Sequence, residues 1–339
     1  MKVLLMHGGY GEESIAGGQS MAELLARELR RRGEEVVLTV GSRGGGGSPT
    51  LPWVPDVVHA FDLGRHRAAR IGCELASRWG AAFALTPASA PEVWDDPAEG
   101  AGLCRAADVV YALTAREAER LAAVGVDPSR IAIVGQAPRL EGGPDHSGFM
   151  ERHGLAAPVV LFLGRKMRSK GYRDLLDAMP AVWREKPAAR FAFAGPAVGP
   201  DWERDLVEHL DPRLVDLGTL GEREKRAALE GCDVVCLPTT TDVLPLVLVE
   251  AWHCGKPVVC GRFDGAREVV RDGVDGIVVE PGGEAVAAAL LRLLADEALR
   301  AAMGREGRER ALREMTWEAV TARVVAGYRR AARTIGTEA

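Results

Sequence analysis

The chain has 339 residues, of which 47% are apolar and 27% charged, a globular mix that excludes a disordered or collagen-like polypeptide. At about 150 residues per domain, that length suggests two domains. With 43 basic against 48 acidic residues, the net charge of −5 argues against a general binder of nucleic acid or anionic membrane.

No apolar run approaches the roughly 18 residues that a membrane helix needs. The opening Met1-Lys2-Val3-Leu4-Leu5-Met6-His7 reads as a first strand rather than a leader, so a cytoplasmic location is expected. A helix follows over 18–32, with Met21, Leu24, Leu25 and Leu29 on one face and Gly33 as its stop. Strands are predicted at 36–40, 56–59, 82–85, 109–113 and 131–134, with helices between them. The Gly-rich stretch 41–52 has no ordered phosphate-loop pattern and reads as a surface excursion.

Residues 141–146 are small, polar and aperiodic, the signature of a linker. A second series of alternating elements then begins. Strands are predicted at 159–163, 191–194, 234–237, 257–260 and 276–279. Helices are predicted at 171–186, 222–230, 246–254, 283–296, 298–313 and 317 to about 333. Strands alternating with helices imply parallel sheets covered on both faces. The expected fold is therefore α/β, with two Rossmann-like domains, 1–141 and 155–316, facing across a cleft. Such sheets bind ligands at the carboxyl ends of their strands.

Two segments carry the chemistry. In Gly164-Arg165-Lys166-Met167-Arg168-Ser169-Lys170-Gly171, a strand ends, a basic loop follows and a helix begins. A helix N-terminus favours an anion, and Arg165 and Lys170 would add a fork and a point charge suited to a diphosphate. The second segment runs from Pro238 to Trp252. Its helix is predicted to start near Pro245, presenting the N–H groups of Leu246 and Val247. Glu250 would sit one turn in, and Asp242 just before the helix. An acid ringed by Leu and Val is unusual for a solvated face. His7 and His59, at strand ends, are candidates for the acceptor side, although a lone His there is more often structural. The cysteines read as buried, reduced thiols; a zinc site from Cys232, Cys236, His253 and Cys254 has the wrong spacing.

The order and spacing of several motifs resemble the family 4 retaining glycosyltransferases of GT-B fold. They are Gly164-Arg165…Lys170-Gly171, Cys232-Asp233-Val234-Val235-Cys236-Leu237-Pro238, Asp242-x7-Glu250-Ala251, Gly255-Lys256-Pro257 and Gly265-Ala266-Arg267-Glu268. Ala16-Gly17-Gly18 and Pro55-Asp56-Val57-Val58-His59 extend the likeness to the N-terminal half. Met315-Thr316-Trp317 resembles the start of the family's C-terminal helix, so 317–335 is expected to return to the first domain.

The resemblance implies that the first domain binds the acceptor and the second the nucleotide-sugar donor. It implies that Arg165 and Lys170 hold the donor diphosphate and that Glu250 takes the ribose hydroxyls. Asp242 would contact the transferred sugar, and the backbone of Leu246 and Val247 the phosphate. Gly164 would line the donor, and Gly17 and Gly18 would approach the phosphates from the other domain. A UDP-sugar is the expected donor, with no metal or other cofactor. The expected acceptor is a small molecule or glycoconjugate.

Three departures mark this chain. Asp242 stands where the family usually has Glu, Val243-Leu244-Pro245 replaces a Gly-Phe-Gly-like run, and Ala88 falls where many members carry a histidine. The competing expectations are a nucleotide-sugar epimerase of the same fold and a non-catalytic nucleotide-sugar binder.

Overall fold

The computed structural model of the chain describes residues 1–8, 17–41, 51–140, 148–156 and 158–338. Most of the Gly-rich stretch 41–52, and the whole linker stretch 141–146, lie outside the described residues. The chain divides into two compact units. One comprises Met1–Ala137 with Glu314–Ala339, and the other Pro138–Arg313.

The first unit runs β1 (Lys2–His7), α1 (Gly17–Arg31), β2 (Glu35–Val40), β3 (Val57–Phe61), α2 (Arg67–Trp79), β4 (Ala82–Thr86), α3 (Pro97–Ala106), β5 (Val109–Ala112), α4 (Ala115–Ala123) and β6 (Ile131–Ile133). Its sheet has the order β2-β1-β3-β4-β5-β6, and every pairing is parallel. β3, β4 and β5 are buried along their whole length, which explains their unbroken apolar sequence.

The second unit runs α5 (Phe149–Arg152), β7 (Val159–Leu163), α6 (Tyr172–Glu185), β8 (Arg190–Ala194), α7 (Asp201–Glu208), β9 (Leu214–Gly218), α8 (Glu222–Gly231), β10 (Val234–Leu237), α9 (Leu246–His253), β11 (Val258–Gly261), α10 (Ala266–Val269), β12 (Gly276–Val279), α11 (Gly283–Ala295) and α12 (Glu297–Glu314). The last helix, α13 (Trp317–Glu338), belongs to the first unit. The second sheet is also parallel, in the order β12-β11-β10-β7-β8-β9. Counted from β7, this is the 3-2-1-4-5-6 order of a doubly wound sheet. Chain direction along the sheet reverses between β7 and β10, so a crevice is expected beyond the carboxyl ends of that pair.

β9 is absent from the sequence reading. It is an edge strand, half exposed, and its Asp216 breaks the apolar run that reveals the other strands.

Helix α13 is held to the first sheet by a buried aromatic group. His59 lies in the middle of β3 rather than at its end, stacked on Phe61 at 4.0 Å. Its Nδ1 lies 2.6 Å from the Tyr328 hydroxyl and its Nε2 2.8 Å from Thr86 Oγ1. The Tyr111 hydroxyl donates to the carbonyl of Val324 at 2.7 Å. All four side chains are buried, so these polar groups complete each other in the core.

Candidate active site

The loops leaving β7 and β10 meet at the switch point of the second sheet. The Thr240 amide donates to the Ser169 carbonyl at 2.9 Å, and Thr239 Oγ1 lies 3.1 Å from the same carbonyl. Gly171 makes the approach possible. Its φ is +76°, and a Cβ there would overlap the carbonyl oxygen of Pro238. Only glycine satisfies both conditions at little cost.

Across this junction Lys170 Nζ donates to Asp242 Oδ2 at 2.6 Å, and the Thr239 hydroxyl donates to the same oxygen at 2.9 Å. Lys170 and Asp242 are 17% and 16% exposed, so the pair is largely buried but still reaches solvent. Arg165 is exposed on the same loop, and its guanidinium makes no ion pair among the described residues. The other two basic residues of the loop have different work. Lys166 is buried against Asp216 and lies 4.6 Å above the Trp202 ring, while Arg168 pairs with Asp201 at 3.0 Å. The amides of Lys166 and Val198 cross-bond the loop to its neighbour after β8, which fixes Arg165.

Helix α9 begins at Leu246, where the sequence places it, with Pro245 as the flanking cap residue. Pro245 cannot donate a hydrogen bond, and the first-turn amides of Leu246 and Val247 have no acceptor among the described residues. Uncapped amides at a helix start suit an anion. Gly164 follows β7, close to the Leu237 side chain.

Glu250 is only 3% exposed, on α9. Its Oε1 accepts from Lys225 Nζ at 2.7 Å and from the Arg139 amide at 3.3 Å. Burial pushes the Glu250 carboxyl up and the Lys225 charge opposes the shift; burial is the larger effect. Lys225 also donates to the Arg139 carbonyl at 2.6 Å and lies 3.0 Å from Glu222. Sequence reasoning missed Lys225, Arg139, Glu222 and Thr239. One signal was available: the chain has six lysines against 37 arginines, and Lys166, Lys170 and Lys225 are all found here.

The remaining candidates belong to the first unit, whose sheet reverses direction between β1 and β3. His7 closes β1 there; its Nδ1 lies 3.1 Å from the Gly8 carbonyl, and Nε2 has no partner among the described residues. His59 has both nitrogens engaged in the core, and burial drives its pKa well below the usual value, so it stays neutral. Gly17 and Gly18 form the start of α1. Ala88 follows β4 with φ +55°, a left-handed backbone that a non-glycine residue rarely adopts.

All six cysteines are reduced. Burial pushes Cys232 up to about 12 and Cys254 up to about 11. Among the described residues, no three His, Cys, Asp or Glu side chains are grouped to hold a metal. No helix among them is long and apolar enough to cross a membrane.

Two doubly wound parallel units, the second with an anion-ready switch point, define a protein of GT-B fold. Solved structures agree along nearly the whole length. Sucrose-phosphate synthase from Thermosynechococcus elongatus superposes with a TM-score of 0.80 at 19% identity, covering 97% of this chain and 98% of that one. The Anabaena protein HepE, solved with UDP and glucose, gives 0.78 at 17% identity, covering 96% and 99%.

Residues 150–310 match the family model described as glycosyl transferases group 1. The GDP-mannose-dependent alpha-(1-6)-phosphatidylinositol monomannoside mannosyltransferase of Mycolicibacterium smegmatis is 36% identical over 219 residues, which is 59% of this chain and 53% of that protein. The chain spans about half the length of the curated relatives it matches.

Proposed function

We propose that the chain transfers a sugar from a nucleoside-diphosphate sugar to an acceptor hydroxyl, with retention at the anomeric carbon and without a metal ion. One observation carries the reading. At the switch point of the second sheet, Arg165, the Lys170–Asp242 pair and the uncapped start of α9 share one rim. Glycosyltransferase names among the relatives support it.

Breaking the bond from sugar to diphosphate builds negative charge on the leaving group and positive charge on the sugar. Arg165, Lys170 and the amides of Leu246 and Val247 are the groups to meet the departing charge, which is electrostatic catalysis by fixed donors. Asp242 then accepts from a hydroxyl of the transferred sugar, and Glu250 from the ribose. The start of α1, at Gly17 and Gly18, is a second helix end suited to anions. Retention follows if the acceptor attacks the face that the diphosphate leaves, with the leaving oxygen taking its proton. His7 is the remaining candidate on the acceptor side.

Thermal unfolding with UDP, GDP, TDP and ADP, with and without EDTA, tests the donor site. A ligand at 100 times its dissociation constant adds about 2.7 kcal/mol, a shift of several degrees. A shift with UDP or GDP that survives EDTA and is lost in R165A is the expected result. No shift with any nucleotide overturns the reading. Where a sugar is transferred, an inverted anomer in the product refutes retention; epimerised donor without transfer replaces the transferase with an epimerase.

A further inference from the structure

Glu250 is a buried carboxylate whose two oxygens are used unequally. Two donors, Lys225 Nζ at 2.7 Å and the Arg139 amide at 3.3 Å, converge on Oε1. Oε2 accepts nothing among the described residues, although the side chain is 4% exposed. Oε2 is not among the buried atoms left without a partner, so it keeps access to solvent while Oε1 is engaged.

We propose that Lys225 is a positioning residue of the donor site: it clamps Oε1 of Glu250 against the Arg139 backbone and leaves Oε2 facing the hydroxyls of a nucleotide ribose. The inference deepens the nucleotide-sugar reading and rests on it.

The charges around Glu250 support the assignment. Lys225 on α8 lies between Glu250 and Glu222, and the Arg139 guanidinium pairs with Glu222 at 3.3 Å. Cys254, one turn along α9, is a neutral thiol because burial raises its pKa to about 11. Without Lys225, Glu250 would face Glu222 in a buried setting with only a backbone amide to hold its charge. Losing Lys225 would push the Glu250 carboxyl further up, toward the acid form, which is the poorer acceptor for a diol. Lys225 also bonds the Arg139 carbonyl at 2.6 Å, so one ammonium orders the segment entering the second unit and the carboxylate together. A lysine suits this better than an arginine, because a compact charge can turn its donors toward two acceptors at an angle.

The test is titration calorimetry of the full chain with UDP and GDP and with their 2′,3′-dideoxy forms, from pH 5.5 to 8.5. The wild type should prefer the ribose form of its nucleotide by about tenfold or more, the usual worth of hydrogen bonds to a charged group. K225M should lose most of that preference at pH 7 and regain part of it at pH 8.5. Its donor KM should rise while kcat holds, the mark of lost uniform binding. K225Q, a smaller disturbance, should behave alike if K225M does not fold, and K225R should restore part of the preference. A K225M or K225Q protein with undiminished ribose preference and an unmoved pH profile overturns the proposal alone. So does a wild type that binds nucleotide but ignores the ribose hydroxyls. A wild type that binds neither UDP nor GDP overturns both this proposal and the donor-site reading.

Discussion

Lys170 Nζ lies 2.6 Å from Asp242 Oδ2, joining the loop after β7 to the loop after β10. The lysine assigned to the diphosphate is thus already compensated by the acid assigned to the sugar. Aspartate is one methylene shorter than the glutamate that the resemblance leads one to expect. Its carboxylate stays on Lys170 and Thr239 instead of reaching out.

Asp242→Asn should therefore separate binding from turnover. Removing the negative charge releases Lys170 to the phosphates, and nucleoside diphosphate should bind about three- to tenfold more tightly, in keeping with a partly exposed pair. The sugar contact weakens at the same time, and kcat for transfer should fall about tenfold or more. Calorimetry with the diphosphate and initial rates with the sugar donor read the two effects. Weaker diphosphate binding in D242N would refute the competition between Asp242 and phosphate.

Tyr328→Phe tests the role of His59. The substitution leaves His59 Nδ1 buried without its 2.6 Å partner, at a cost of about 1–3 kcal/mol. The melting temperature should drop, while the kcat for the proposed transfer stays within about twofold. A large loss of kcat at unchanged stability would return His59 to the acceptor side.

Much of this protein was legible in its sequence because parallel strands buried on both faces are written as short apolar runs. Residues 159–163 and 234–237 are examples, and the loops after them were found with Arg165, Lys170 and Asp242 in place. β9 was not legible, since an edge strand with Asp216 at its centre carries a weak pattern. The partners of Glu250 were hidden for a different reason. Lys225 precedes it by a helix and a strand, and Arg139 lies still further back, so only tertiary packing brings the three together. The mutual pairing of Lys170 and Asp242 was equally invisible, because spacing predicts which loops converge but not which charges neutralise each other.

Gly171→Ala should be among the most damaging small substitutions in the second unit. It asks alanine to adopt φ +76° and drives its Cβ into the Pro238 carbonyl oxygen. The loops after β7 and β10 must part, separating Lys170 from Asp242. A loss of about 2–4 kcal/mol is expected from strain and overlap together. Denaturant unfolding measures it, and a loss below about 0.5 kcal/mol would show that the junction yields.

Glu117 makes the first unit sensitive to pH. It is buried at the start of α4, where Thr114 Oγ1 accepts from its amide at 3.0 Å. Its own Oε2 accepts from the Leu113 amide at 2.5 Å, while Oε1 has no partner. Burial raises the carboxyl from 4.5 to about 8, against the opposing pull of the Leu113 amide. The folded unit thus keeps a proton that the unfolded chain gives up at lower pH. The stability it contributes is complete below about pH 4.5 and is lost progressively as the pH rises through about 8. Glu117→Gln cannot ionise and removes this slope. Compared with the wild type, E117Q should be less stable at pH 5, where a neutral acid fits the site, and should gain on the order of 4 kcal/mol relative to it by pH 8.5. Denaturation midpoints of the two proteins across that range decide the matter. Parallel pH profiles would mean that Glu117 ionises alike in the folded and unfolded chains.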